Sequence, residues 1–157
     1  MGANLWRELP PFSGNLIKRV SKRAKGMLFN TGLICYLLQT QRVPTLQTNP
    51  SLGAIFKATI CLEIQAVIDS VQNGANLYHW RTPYGHEVDL VLEHEGRLYA
   101  FECKWGEDIK PSALVGLQAF RKTYGNKFAA CIVVTPIGAT RWIANGILKI
   151  ALLPGVM

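Results

Sequence analysis

The amino-acid sequence predicts an α/β fold, a mixed β-sheet flanked by helices, with a short basic N-terminal appendage. Two observations predict this class. The hydrophobic spacing alternates between helical and strand periods, giving a helix, a three-stranded meander, a second helix and a further strand. Hydrophobic residues make up 49% of the 157 residues and charged residues 17%, which suits one globular domain with a buried core.

The first 26 residues are predicted to form a loop or hairpin outside the core, and residues 27–157 to form the domain itself. Pro10-Pro11 and Gly14 interrupt this segment, and no periodicity is sustained through it. Residues 1–57 hold eight Lys/Arg and one acid, whereas the rest of the chain holds nine of each. The basic block consists of Lys18, Arg19, Lys22, Arg23 and Lys25. It suits the phosphate backbone of nucleic acid, and equally a solvated arm or a contact with an acidic neighbouring domain.

Two helices are predicted before the strands. Residues 31–39 form a short apolar helix that Asn30 is placed to cap. Residues 44–50 are predicted to be a linker. The apolar spacing from Leu52 to about Val71 is typical of a long, largely buried helix, which Asn73-Gly74 is expected to end.

The strands come next and are separated by turn signals. Glu95-Gly96 and Pro83-Tyr84-Gly85 are the turns of the meander. The predicted elements are strands Leu77–Thr82, His86–Glu93 and Arg97–Lys104, an amphipathic helix Ser112–Tyr124, a buried strand Phe128–Thr135 and an edge strand Ile147–Leu153.

The four cysteines predict neither a zinc site nor a disulfide framework. They lie far apart in apolar stretches and form no C-x-x-C pair, so we interpret them as buried thiols: Cys35, Cys61, Cys103 and Cys131. No apolar run approaches the roughly 20 residues of a membrane-spanning helix. The N-terminus lacks the layout of a signal peptide, and we therefore expect a cytoplasmic protein.

The hairpin between the second and third strands carries the candidate site. If Glu95-Gly96 is a two-residue turn, Asp89 lies opposite Glu102, and Lys104 follows two residues later. Strict alternation of side chains then places Glu87 on the same face of the sheet. That face continues into Val91, Leu98 and Ala100, and the opposite face carries Val88, Leu90, Leu92, Tyr99, Phe101 and Cys103.

Two directly opposed carboxylates repel one another, because their Cβ atoms are about 4.5–5.5 Å apart. A divalent cation removes this conflict and prefers oxygen ligands. We therefore predict a metal site at Asp89 and Glu102. Lys104 would be the third catalytic residue, stabilising developing negative charge, and Glu87 a supporting carboxylate. The alternative is an ordinary hairpin with a solvated polar edge.

The spacing of Asp89 and Glu102-Cys103-Lys104 resembles the D…E-x-K signature of the PD-(D/E)XK nuclease superfamily. Surrounding motifs narrow the resemblance: Leu9-Pro10-Pro11, Gly14-Asn15-Leu16, Lys18-Arg19, Thr31-Gly32-Leu33, Tyr36-Leu37-Leu38, Gly53 with Phe56, Tyr78–Thr82, and Gly85 with Glu87-Val88-Asp89. Over residues 5–135 they resemble the C-terminal domain of unknown function that follows the ATPase module in many prokaryotic AAA+-type ATPases.

This resemblance implies a restriction-endonuclease-like fold. It also implies that residues 5–26 are the wing of a winged helix, and that Gln118 on the following helix points at the site. The chain departs from the family pattern at Lys57 and Asn30, where the family usually has acids. Glu63, six residues after Lys57, is about 120° further around the helix and is no simple substitute. No G-x-x-x-x-G-K-[ST] loop occurs, so we expect no ATPase activity from this chain.

Two functions follow. The first is a nuclease-like module that is catalytically degenerate, associates with DNA and serves an attached or separate ATPase or another partner protein. The alternative is an active DNA endonuclease or exonuclease that depends on Mg²⁺ or Mn²⁺. Arg81 is predicted either to contact a phosphate or to form a cross-strand pair with Glu87.

Overall fold

A computed structural model describes residues 5–15, 23–28, 30–40, 42–72, 74–143 and 146–154. Lys18, Arg19 and Lys22 of the basic block lie outside these ranges. The elements in chain order are β1 (Trp6–Leu9), β2 (Lys25–Leu28), α1 (Thr31–Leu37), α2 (Val43–Gln47), α3 (Leu52–Val71), β3 (Asn76–Arg81), β4 (Glu87–His94), β5 (Arg97–Cys103), a 3-10 turn (Pro111–Leu114), α4 (Val115–Tyr124), β6 (Phe128–Gly138), β7 (Arg141–Ile143) and β8 (Ile147–Pro154).

The main sheet has six strands in the order β3-β4-β5-β6-β8-β7. Strands β3, β4 and β5 are antiparallel, β6 and β8 run parallel to β5, and β7 is antiparallel to β8. The prediction of a mixed sheet in an α/β fold is therefore confirmed. The prediction that the last strand lies at the edge is wrong, because Arg141–Ile143 forms a short strand that pairs with the outer side of β8.

Each face of the central strands carries a buried apolar cluster. One apolar cluster lies under α4, where Leu117 and Phe120 pack with Val91 and Val133. The other lies under α3, which contributes Phe56, Ile60 and Cys61 beside Leu90 and Ile132. Cys61, Cys103 and Cys131 are buried, as predicted, whereas Cys35 is only half-buried. Burial raises the pKa of the Cys61 and Cys131 thiols to about 11, so both are protonated and unreactive near neutral pH.

The N-terminal strands form a separate two-stranded antiparallel sheet, with Trp6 paired to Leu28 and Leu9 to Lys25. The predicted hairpin is therefore present, and it extends to Leu28. The prediction that this segment stays outside the core is wrong. The segment after β1 packs against the domain, and Phe12 is only 2% exposed within the cluster under α4.

The helices before the sheet follow the sequence closely. The side chain of Asn30 caps α1 by accepting a hydrogen bond of 2.8 Å from the backbone N–H of Leu33, as predicted. Helix α3 has the predicted bounds, but the left-handed residue that ends it is Gln72, and Asn73 lies outside the described residues. The predicted linker contains the short helix α2, whose start is favoured by Pro44 at its first turn.

The turn between β4 and β5 has the predicted geometry. Glu95 and Gly96 both have positive φ, at 50° and 74°, as a two-residue type I′ hairpin requires. The register follows, because His94 pairs with Arg97 and Leu90 with Phe101. The prediction of the strand pairing near the turn is confirmed.

A bulge in β4 changes which face of the sheet is occupied by the side chains that precede Leu90 in the strand. Tyr78 of β3 pairs with Val91 and Trp80 pairs with Val88, so β4 contains one more residue than β3 between these pairs. Val88 consequently lies with Val91 in the cluster under α4, while Leu90 lies under α3. The prediction that Val88 and Leu90 share a face is wrong, because strict alternation does not hold through a bulge.

None of the described helices is long and apolar enough to cross a membrane.

Candidate functional site

Asp89 lies at the bulge, where β4 and β5 approach the end of their pairing. It is 5% exposed, and its Oδ2 accepts a hydrogen bond of 3.0 Å from the backbone N–H of Cys103. Because Cys103 directly follows Glu102, this bond fixes Asp89 beside the second predicted carboxylate. The two residues that the hairpin register was expected to bring together are therefore neighbours in the fold.

The second oxygen of Asp89 contacts a lysine of the long helix. Lys57 lies in the first turns of α3, and its Nζ forms an ion pair with Oδ1 of Asp89. Burial disfavours the charged ammonium of Lys57, but the carboxylates of Asp89 and Glu102 outweigh burial and raise its pKa. Lys57 is therefore a positive charge held inside the site.

Glu102 is the second buried carboxylate, at 8% exposure. Its Oε1 accepts from Nζ of Lys104 at 2.8 Å, so Glu102 near the end of β5 is ion-paired with the residue that directly follows the strand. Burial raises the pKa of Glu102, and the nearby Asp89 raises it further against the opposing charges of Lys104 and Lys57. This carboxyl group therefore takes up a proton more readily than a solvated glutamate does.

Glu87 forms the third pair, with cations from two other strands. Lys25 of β2 contacts its Oε1, and Nε of Arg81 lies 4.0 Å from its Oε2. Burial opposes ionisation of Glu87, but Lys25 outweighs burial and lowers the pKa of this carboxyl group. The cross-strand interpretation of Arg81 is confirmed, because Arg81 and Glu87 are paired in register. Lys25 is thus ion-paired with Glu87, and the nucleic-acid contact predicted for it stays a prediction.

Two predicted residues lie apart from these carboxylates. Gln118 is exposed on α4 and lines a cavity with Phe128 and Ile147, where β6 and β8 begin, whereas Glu102 lies near the end of β5. Arg23 is exposed just before β2, and its backbone carbonyl lies 3.3 Å from Nε2 of His79. The roles assigned to both, and to Lys18, Arg19 and Lys22 outside the described residues, remain predictions.

The site contains three carboxylates, and each is ion-paired with a different lysine. Both oxygens of Asp89 are engaged, one by Lys57 and the other by the Cys103 N–H, and Glu102 is paired with Lys104. In the described part of the chain, no group of three or more His, Cys, Asp or Glu side chains is arranged to hold a metal ion. The residues as placed do not fit a divalent cation. The ammonium group of Lys57 contacts the carboxylate of Asp89, which the ion would need as a ligand.

One family model matches the part of the chain that forms the long helix α3 and the main sheet. Residues 52–153, from the start of α3 into β8, match a family model described as a domain of unknown function, DUF4143. The chain belongs to the DUF4143 family. The matched segment contains Lys57 and all three carboxylates, so the ion-paired site lies within the DUF4143 domain, whereas the hairpin β1–β2 precedes the matched residues.

Two curated relatives are similar over 98 residues at 35% identity. Both are uncharacterized proteins, one from Mycobacterium bovis and one from Mycobacterium tuberculosis, and the match covers 62% of this chain. The matched region is 21% of each relative, so the chain spans about a fifth of their length. No solved structure matches the chain.

The three carboxylates and the pairing of Arg81 with Glu87 were predicted from the sequence, whereas the ion pairs with Lys57 and Lys25 were not. Lys57 was singled out because the family that the motifs resemble usually has an acid there, and it was interpreted as the loss of a carboxylate rather than as a partner of Asp89. Its pairing with Asp89 depends on how α3 packs on the sheet. The contribution of Lys25 was equally hidden, because β2 and Glu87 are about 60 residues apart in sequence and meet only in the fold.

Proposed function

We propose that this chain is a nuclease-like, DNA-associated module in which Lys57 takes the place of a metal ion, so that the site is catalytically degenerate. One observation carries the proposal, the ion pair between Nζ of Lys57 and Oδ1 of Asp89 at the centre of the site. A hydrolytic site of this type needs Asp89 as a metal ligand. An ammonium group satisfies the same carboxylate electrostatically, and it cannot bring a water molecule to a phosphate as a bound metal ion does.

The restriction-endonuclease-like part of the proposal rests on sequence resemblance together with the order of elements. A long helix, an antiparallel meander, a helix and a parallel strand surround the D…E-x-K residues at one end of a mixed sheet. This order agrees with the nuclease superfamily that the motifs resemble.

The proposed association with an AAA+-type ATPase rests on the same motifs. In the mycobacterial relatives the matched region is 21% of the chain, which leaves room in those proteins for further domains. We propose that the module binds DNA on behalf of an attached or separate ATPase.

Calorimetry with Mg²⁺ tests the proposal directly. We expect no saturable Mg²⁺ binding to the wild-type chain in the millimolar range, because the ammonium group of Lys57 is already paired with the carboxylate of Asp89. The variant Lys57→Glu adds a third carboxylate and is expected to bind Mg²⁺ and to show a Tm that rises with Mg²⁺. Lys57→Met is the matched control, since it removes the ammonium but adds no ligand. Millimolar or tighter binding to the wild type that disappears in Asp89→Asn would contradict the proposal.

The alternative, an active nuclease, is favoured by one specific feature. Asp89, Glu102 and Lys104 lie together, and burial with a neighbouring carboxylate raises the pKa of Glu102, the type of perturbation that is common at catalytic sites. Cleavage of plasmid or branched DNA with Mg²⁺ or Mn²⁺ is the test. Cleavage by the wild type that is lost in both Asp89→Ala and Lys104→Ala would establish the alternative, and we expect none.

A further inference from the structure

A pocket of about 460 Å³ opens beside the ion-paired site, between the N-terminal hairpin and helices α1 and α3. Its apolar lining includes Met27, Leu28, Ile34 and Ile55, and the Lys57–Asp89 pair lies at its boundary. The volume is in the range of pockets that bind small organic groups. Neither the sequence motifs nor the family match assigns a role to this pocket.

Trp6 lines the same pocket and presents an open aromatic surface. Its indole ring packs on Gly26 of the neighbouring strand, in the space that a Cβ atom at position 26 would occupy. The ring is thus supported from one side by backbone, while the side chain as a whole remains 58% exposed. A supported, exposed indole next to an apolar pocket is suited to stacking against a flat ring.

The charged side chains around the pocket indicate which class of ligand with a flat ring it binds. Lys25 and Lys57 line the pocket. Lys57 is paired with Asp89, and Lys25 shares the carboxylate of Glu87 with Arg81 of β3. Three cations against two carboxylates leave one net positive charge beside an apolar, aromatic pocket. This is charge complementarity to a nucleotide, whose base is flat and apolar on its faces and whose phosphate is negative.

We propose that this pocket binds an unpaired nucleotide of single-stranded DNA, with its base stacked on Trp6 and its phosphate facing the cations of β2 and β3. The inference rests on the DNA association proposed above and specifies the form of DNA. In a duplex both faces of each base are covered by neighbouring bases, so an indole can stack only on a base that has left the stack. Aromatic stacking with basic side chains is the usual combination in proteins that bind single strands.

The test compares binding of a labelled oligothymidylate with binding of a duplex of equal length at low salt, by fluorescence anisotropy. We expect the single strand to bind more tightly to the wild-type chain. Trp6→Ala should weaken single-strand binding roughly tenfold or more, whereas Trp6→Phe should retain most of it. Trp142→Ala is the matched control, because Trp142 is 68% exposed on β7 at the far edge of the sheet. Circular dichroism and Tm show that each variant is folded.

The outcomes separate this inference from the proposed function. DNA binding that is equal in Trp6→Ala and Trp142→Ala overturns the stacking pocket but leaves DNA association standing. Tighter binding to duplex than to single strand overturns the single-strand assignment. No binding to either DNA overturns both. A loss of single-strand binding in Gly26→Ala, where the new Cβ displaces the indole, gives independent support.

Discussion

Replacing Asp89 with alanine is expected to lower the free energy of unfolding by about 3 kcal/mol, because it leaves a buried backbone N–H and a half-buried ammonium group without their acceptor. Lys57 loses the carboxylate that balances its charge, and the backbone N–H of Cys103 loses its acceptor. We place the loss at the low end for a broken buried pair because the side chain of Lys57 is 32% exposed and can reach water. Urea denaturation measures the difference.

Two controls distinguish this mechanism from a general loss of a carboxylate. Asp69→Ala removes an acid whose side chain is 62% exposed and lies 3.8 Å from Arg7, and it should cost less than about 1 kcal/mol. The double variant Asp89→Leu with Lys57→Met removes both charges, and it should recover part of the stability lost in Asp89→Ala. Equal losses in Asp89→Ala and Asp69→Ala would contradict the buried ion pair.

A second large effect is expected at Gly116, in the first turn of α4. A Cβ atom built at this position would overlap the backbone carbonyl oxygen of Glu87, which no side-chain movement can relieve. Gly116→Ala therefore forces α4 away from β4 and opens the apolar cluster around Leu117 and Phe120. We expect a loss of about 3 kcal/mol or more in the free energy of unfolding, at the upper end for overpacking.

Gly53 provides the matched control for Gly116. It also lies in a helix, in the first turn of α3, but a Cβ atom there has no neighbour within 4 Å. Gly53→Ala should therefore stabilise the protein by up to about 1 kcal/mol, through better helix propensity and a more restricted unfolded chain. If Gly116→Ala were as stable as Gly53→Ala, the close packing of α4 on Glu87 would be wrong.

These two positions connect stability to the site. Glu87 and Asp89 lie on one short stretch of β4, which α4 contacts through Gly116 and which α3 contacts through Lys57. The helices on the two faces of the sheet therefore both determine where these carboxylates lie. A change in the packing of either helix is expected to alter the ion-paired site as well as the core.

Much of the fold followed from local pattern. The bounds of α3, the cap at Asn30 and the turn at Glu95-Gly96 were all predicted, because each depends on residues close together in sequence. The mixed order of the sheet followed from the succession of helical and alternating periods. The internal position of β8 was missed, since the three residues of β7 give too short a pattern to recognise.

By itself, the sequence determined the element order, the hairpin register and the three carboxylates, because hydrophobic period and turn chemistry are local. Only the tertiary structure decided what those carboxylates contact. The bulge in β4 and the packing of α3 bring Lys57 to Asp89, and the pairing of β1 with β2 places Trp6 over Gly26 beside the same site. These contacts join residues more than 15 positions apart in sequence. Burial and charge balance across the whole fold determine which of these contacts form, and no local sequence pattern contains that information.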